Sequence, residues 1–284
     1  MGLQAVESAN IVGYMNVTNT VGKQFSPVGA MFMNCSTNGA WRLGDIKPVD
    51  GTLNYQTEYL QEFDPNTGAI GTMYCYIDAA SATSKNPMRK WANPADAVGW
   101  WYKDTISGMT ASDQGTAVRA DNVVFSAGQG LYSNFVGAKA KLDFSGEVVC
   151  EEWQIDLTGK QFSPIINYLP RVITLKEIVP EEGTLNYQTE YLQEFDPNTG
   201  AIGTMYCYID AASATSKNPM RKWANPSAAV GWWYKDTISG MTATDQGTAV
   251  KADDVEIKPG EGFYSNFVSA KAKLNFPKSI PDAN

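Results

Sequence analysis

Glu58, Glu62 and Asp64 lie within seven residues of one another, and Glu190, Glu194 and Asp196 repeat the spacing. Paired carboxylates are the equipment of glycoside hydrolysis, one donating a proton while the other acts as base or nucleophile. The surrounding pattern argues against that use. Leu53, Tyr55, Tyr59 and Phe63 alternate with Asn54, Gln56, Glu58 and Glu62. That period predicts a half-buried strand with its carboxylates on the solvated face, where nothing raises a carboxyl pKa into the range of a catalytic acid. The chain contains no histidine, which removes the commonest general base and the commonest transition-metal ligand. No Gly-X-Ser-X-Gly elbow, phosphate-binding loop or dinucleotide fingerprint is present either. The expectation is that the protein is not an enzyme and uses no cofactor.

Three other groups of residues carry chemical interest. Asp64-Pro65-Asn66-Thr67-Gly68 begins like a calcium loop, and Asp113 and Asp121 near Gly115 add oxygen donors. However, Cys75 occupies the twelfth position, where an EF-type loop needs a bidentate carboxylate, so the segment is read as a hairpin turn. Calcium is the one metal with even a partial ligand pattern. Trp91, Trp100 and Trp101, with Trp223, Trp232 and Trp233, are candidate interface or ligand aromatics, since exposed rings grip protein partners and sugar faces alike. Adjacent Trp100 and Trp101 point to opposite faces of an extended strand, which predicts one ring in the core and one outside. Cys75 and Cys207 alternate with apolar neighbours as buried small side chains; Cys35 and Cys150 have no counterparts, and the spacing establishes neither a disulfide nor a metal site.

The elements that must position these residues come in pairs. Residues 51–118 recur at 183–250 with three changes in 68 positions, Ala95/Ser227, Asp96/Ala228 and Ser112/Thr244. A period of 132 residues has the size of a domain rather than of a solenoid repeat. Gly22-Lys23-Gln24-Phe25-Ser26-Pro27 returns at 159–164, an offset of 137, which pairs 10–17 with 147–154 as a first strand. Five residues are therefore missing after Pro164, and the copies should differ most at 28–50 against 165–182. Tyr- and Thr-rich alternation, frequent glycines and no long helical period predict an all-β fold. Two tandem, nearly identical antiparallel β-sandwich-like domains are expected, 1–146 and 147–284, with a short junction near Ser145 and Gly146. Residues 79–90 read as a short helix or ordered loop, since Pro87 bars a long one.

The opening Ser8-Ala9-Asn10-Ile11-Val12-Gly13-Tyr14, with Gly128-Gln129-Gly130-Leu131-Tyr132 and Gly260-Glu261-Gly262-Phe263-Tyr264, resembles a group of secreted tandem-repeat β-proteins of verrucomicrobial and related bacteria. The resemblance covers only domain edges. It implies a secreted location and a β fold, and brings no activity or site residue with it. Met1-Gly2-Leu3-Gln4-Ala5 has the small residue of a cleavage point without the charged and apolar regions of a signal peptide.

A formal charge of −8 offers no basic surface for nucleic acid, and no run of ~20 apolar residues can span a membrane. The leading expectation is an extracellular structural protein whose chains join head to tail into a filament, tube or surface layer, its partners being copies of itself. The first strand is the candidate assembly element, with Asn10, Ile11, Val12, Tyr14 and Val17 adding to a neighbour's sheet edge. The alternative is a tandem carbohydrate-binding module whose exposed aromatics hold polysaccharide with two-site avidity.

Overall fold

Runs of aromatic and β-branched residues punctuated by Gly, Pro and Asp favour short antiparallel strands over helices, and the chain forms them in both copies. The computed structural model describes residues 12–18, 24–29, 40–64, 67, 69–83, 94–106, 116–125, 130–135, 140–147, 152–157, 161–196, 199, 201–215, 226–238, 248–267 and 272–277. The first copy contains β1 (Val12–Thr18), β2 (Gln24–Val28), β3 (Trp41–Arg42), β4 (Ile46–Pro48), β5 (Tyr59–Phe63), β6 (Ile70–Ile77), β7 (Gly99–Tyr102), β8 (Val124–Phe125), β9 (Leu131–Asn134) and β10 (Lys141–Glu147). Two short helices, α1 (Ala79–Thr83) and α2 (Lys103–Ile106), flank β7 in sequence. The second copy repeats the order with β11 (Trp153–Asp156), β12 (Gln161–Ile166), β13 (Ile173–Thr174), β14 (Val179–Pro180), β15 (Tyr191–Phe195), β16 (Ile202–Ile209), α3 (Ala211–Thr215), β17 (Gly231–Tyr234), α4 (Lys235–Ile238), β18 (Glu256–Ile257), β19 (Gly262–Asn266) and β20 (Lys273–Phe276).

Each copy builds three sheets from its own strands. In the first they are β2-β9-β5-β6-β7, β1-β10-β4 and β3-β8; in the second, β12-β19-β15-β16-β17, β11-β20-β14 and β13-β18. All these pairings are antiparallel. The protein is thus predominantly β, as the alternation predicts. One hydrophobic cluster joins the three sheets of the first copy, taking Ile46, Leu142 and Phe144 from one, Leu60, Tyr74, Trp100 and Leu131 from another, and Trp41 and Phe125 from the third. The second copy has its own counterpart around Leu192, Trp232, Phe263 and Leu274.

The expected hairpin forms between β5 and β6. Asp64 N–H donates to Ala69 O at 2.8 Å, and Thr67 N–H donates to Asp64 Oδ1 at 2.8 Å, an aspartate-closed turn. The strand before it is shorter than expected. Residues 52–58 form turns, and only 59–63 are extended.

Two boundaries move. β10 runs to Glu147, so the expected junction at Ser145 and Gly146 lies inside a paired strand, and β11 begins at Trp153. The first-strand alignment shifts by one. Met15 faces Phe144 and Thr18 faces Lys141, while Trp153 faces Phe276 and Asp156 faces Lys273. The equivalence is therefore 15–18 with 153–156, not 10–17 with 147–154. A single-residue slip exchanges the faces of a strand, and the corrected register matches Met15 with Trp153 and Val17 with Ile155, apolar with apolar. The five-residue difference falls where expected, between β2 and β3 in the first copy and β12 and β13 in the second.

Candidate functional site

The carboxylates each accept hydrogen bonds within the fold, and two of them are buried. Glu58 and Glu190 were expected on a solvated strand face, but they are 4% and 1% exposed. Because the strand begins only at Tyr59, Glu58 closes the preceding turn: its Oε2 accepts from Asn54 N–H at 2.6 Å, and Glu190 does the same for Asn186 at 2.6 Å. Glu62 Oε1 accepts from the Tyr74 hydroxyl at 2.6 Å, and Glu194 accepts from Tyr206 at 3.0 Å. Burial first, and then this carboxylate, raise the Tyr74 phenol far above its ordinary value. Asp78 ties two segments, taking Gly51 N–H on Oδ2 and Ser81 N–H on Oδ1, both at 2.6 Å, at the start of α1.

The aromatic pair is also enclosed. Trp100 and Trp101 are 0% and 2% exposed, with Trp232 and Trp233 matching them, so the expectation of one outward ring is corrected. The two rings do take opposite faces of β7, as alternation requires. Trp100 enters the main cluster and donates Nε1–H to Ile46 O at 2.8 Å. Trp101 enters a second cluster with Cys75, Ile77, Ala82, Ala97 and Ile106, which belongs to the loops and short helices covering the other face; its Nε1–H reaches Ala97 O at 2.8 Å. The Arg119 guanidinium lies 4.4 Å from the centre of the Trp101 ring, and Lys251 lies 4.7 Å from Trp233. Gly99 makes this closure possible. At φ 137°, a Cβ there would collide with Arg119 and stand 2.9 Å from the Asp121 carboxylate. Trp91 and Trp223 lie outside the described residues.

Two aspartates of the partial calcium pattern have partners in the fold. Asp64 serves its hairpin, and Asp121 accepts from Trp100 N–H at 2.9 Å and pairs with Arg119 at 2.9 Å. Asn66 and Asp113 are not among the described residues, and none of those described form a group of three or more potential metal ligands. Cys75 and Cys207 are fully buried free thiols, as the alternation predicts, and burial pushes both up to about 12. Cys35 and Cys150 lie outside the described residues.

Of the candidate assembly strand, Val12, Tyr14 and Val17 belong to β1, while Asn10 and Ile11 are not described. β1 pairs with β10 of its own copy over seven residues and forms one edge of that sheet. Its second edge has no strand against it among the described residues. β7 differs: its outer edge is taken by the segment through Arg119, with Tyr102 N–H on Val118 O at 3.1 Å and Ala120 N–H on Trp100 O at 2.9 Å.

The contact between the copies is a surface the sequence did not announce. Tyr132 of β9 stacks on Tyr264 of β19, centroids 4.5 Å apart and planes 15° from parallel. Phe63 meets Tyr132 edge-on at 4.2 Å, and Phe195 meets Tyr264 at 4.7 Å. Gln61 and Gln193, in register with these tyrosines on the neighbouring strands, are buried as well. The only sequence signal was a pattern of aromatic and amide residues on the strand face opposite Leu60 and Leu131. No protein-family model, curated protein or solved structure matches the chain. No helix among the described residues is long and apolar enough to cross a membrane.

Proposed function

We propose that the chain is an extracellular structural protein that assembles head to tail into a filament, tube or surface layer. Each copy acts in this reading as a separate antiparallel sandwich-like domain, an interpretation supported by the two hydrophobic clusters, each drawn from one copy. The observation that carries the proposal is the edge of β1: seven residues paired with β10, with no strand on the other side among the described residues. An unpaired edge of that length offers main-chain donors and acceptors to another strand with little demand on sequence. The neighbour's three-stranded sheet β11-β20-β14 offers the complementary edge, so first copy meets second copy of the next chain and the contact repeats without closing.

The contact inside the chain cannot serve this purpose. Equivalent tyrosines face each other there, so both copies use the same patch, and an isologous patch is consumed once paired. The carbohydrate-binding alternative rested on exposed aromatics, and the four candidate tryptophans among the described residues, Trp100, Trp101, Trp232 and Trp233, are buried; no observation favours it.

Negative-stain imaging of the purified protein tests the proposal. Adjacent residues of a strand send their N–H groups to opposite sides, so of Met15→Pro and Asn16→Pro one removes a bond to β10 and the other an outward donor. The variant that keeps the wild-type melting temperature is expected to form no ordered polymer. Polymers of wild-type order from that variant, or a wild type that stays monomeric and binds polysaccharide, would overturn the proposal.

A further inference from the structure

The two halves of the inter-copy contact are not identical, and the difference sits near its centre. A contact between equivalent surfaces brings residues close to their own counterparts, as Tyr132 and Tyr264 illustrate. Gly29 and Ile166 are such counterparts. Pro27 faces Tyr132 as Pro164 faces Tyr264, and each of the pair follows its proline by two residues. A Cβ on Gly29 would stand 2.9 Å from Ile166 Cδ1 and 3.3 Å from Tyr168 Cε1. Gly130 extends the shelf, where a Cβ would lie 2.8 Å from Pro164 Cγ and 3.0 Å from the same Ile166 Cδ1. All of these residues except Pro27 are buried.

We propose that Gly29 and Ile166 form a hole-and-knob pair that determines which surfaces can meet here. The partner this surface fits is the unlike copy of the chain. Two first copies brought together would set Gly29 on Gly29 and leave a void; two second copies would set Ile166 on Ile166 and overlap. Both faults are costly in a close-packed contact. Discrimination of this kind works by penalising the wrong pair as much as by favouring the right one. Its location follows from the duplication. Residues 51–118 and 183–250 differ at three positions only, so they cannot distinguish one copy from the other. The pair lies in the stretch where the copies diverge. Adjacent near-identical segments are prone to mispairing between copies and between chains, which such a device suppresses.

Ile166→Val deletes Cδ1, the carbon that a methyl on Gly29 would meet most closely, which permits a mild test on the full-length chain. Gly29→Ala is expected to lower the melting temperature by about 5 °C, Ile166→Val by less, and the double variant should melt above Gly29→Ala alone. The exchanged pair, Gly29→Ile with Ile166→Gly, should likewise melt above Gly29→Ile alone and recover the near-ultraviolet circular dichroism of the stacked tyrosines. Losses that simply add in the mild double variant, or a Gly29→Ala protein as stable as the wild type, would overturn the proposal. Should Gly29→Ile not fold, the Ala/Val cycle decides the question alone.

Discussion

Glu58 shows how a single side chain misleads when its strand is read too long. Its place in an alternating run marks it as exposed, yet a turn at 52–58 rotates it inward, where Asn54 N–H waits for an acceptor. Removing that acceptor breaks a charge-assisted hydrogen bond, which costs about 1.5–3 kcal/mol. Glu58→Ala and Glu190→Ala are each expected to lose stability in that range by urea denaturation. Glu58→Gln, which keeps an acceptor oxygen, should lose less. Equal losses for Ala and Gln would mean that the charge, not the acceptor, matters at this position. Cys75 was legible for the opposite reason: β6 is a true strand, so its alternation with Met73 and Ile77 held.

At the scale of elements, the sequence disclosed strand pairs and hairpins but not what covers them. That Trp100 and Trp101 take opposite faces follows from a period of two; that both faces are buried depends on α1, α2 and the segment through Arg119, brought over β7 by contacts distant in sequence. The one-residue slip in the first strand has the same origin, because loop length between β1 and β2 cannot be counted before the partner strand is known. The divergent connection between β12 and β13 makes a sharper case. Asn167 is 1% exposed and organises it: Nδ2–H donates to Arg171 O at 2.8 Å and to Ile257 O at 2.9 Å, and Oδ1 accepts from Leu169 N–H at 3.0 Å. Asn167→Ala breaks all three bonds and strands three backbone groups, so a loss of about 3 kcal/mol is expected in thermal or urea unfolding. A loss below about 1 kcal/mol would show that the connection holds its course by apolar packing alone.

For the whole molecule, the contact between copies makes alkaline pH the revealing variable. Tyr132 and Tyr264 are stacked in its interior, and their hydroxyls have no hydrogen-bond partner among the described residues. Burial raises both phenols well above 10.0. A raised folded pKa means that stability is fully present below the unfolded value and is lost as pH rises towards the folded one. Each phenol then costs about 1.4 kcal/mol per pH unit above ~10, once the unfolded chain ionises and the folded chain does not. The buried thiols, raised from 9.0 to about 12, begin the decline earlier. Tyr132→Phe with Tyr264→Phe removes both unpaired hydroxyls while keeping the stack. At pH 7 the double variant is expected to be at least as stable as the wild type, because an unsatisfied buried hydroxyl contributes nothing that the ring does not. Between pH 10 and 11 its loss of stability should be shallower by up to about 2.8 kcal/mol per unit. Urea denaturation across that range measures the two slopes; parallel curves would mean that the phenols ionise without leaving the fold, and that the contact between the copies admits water.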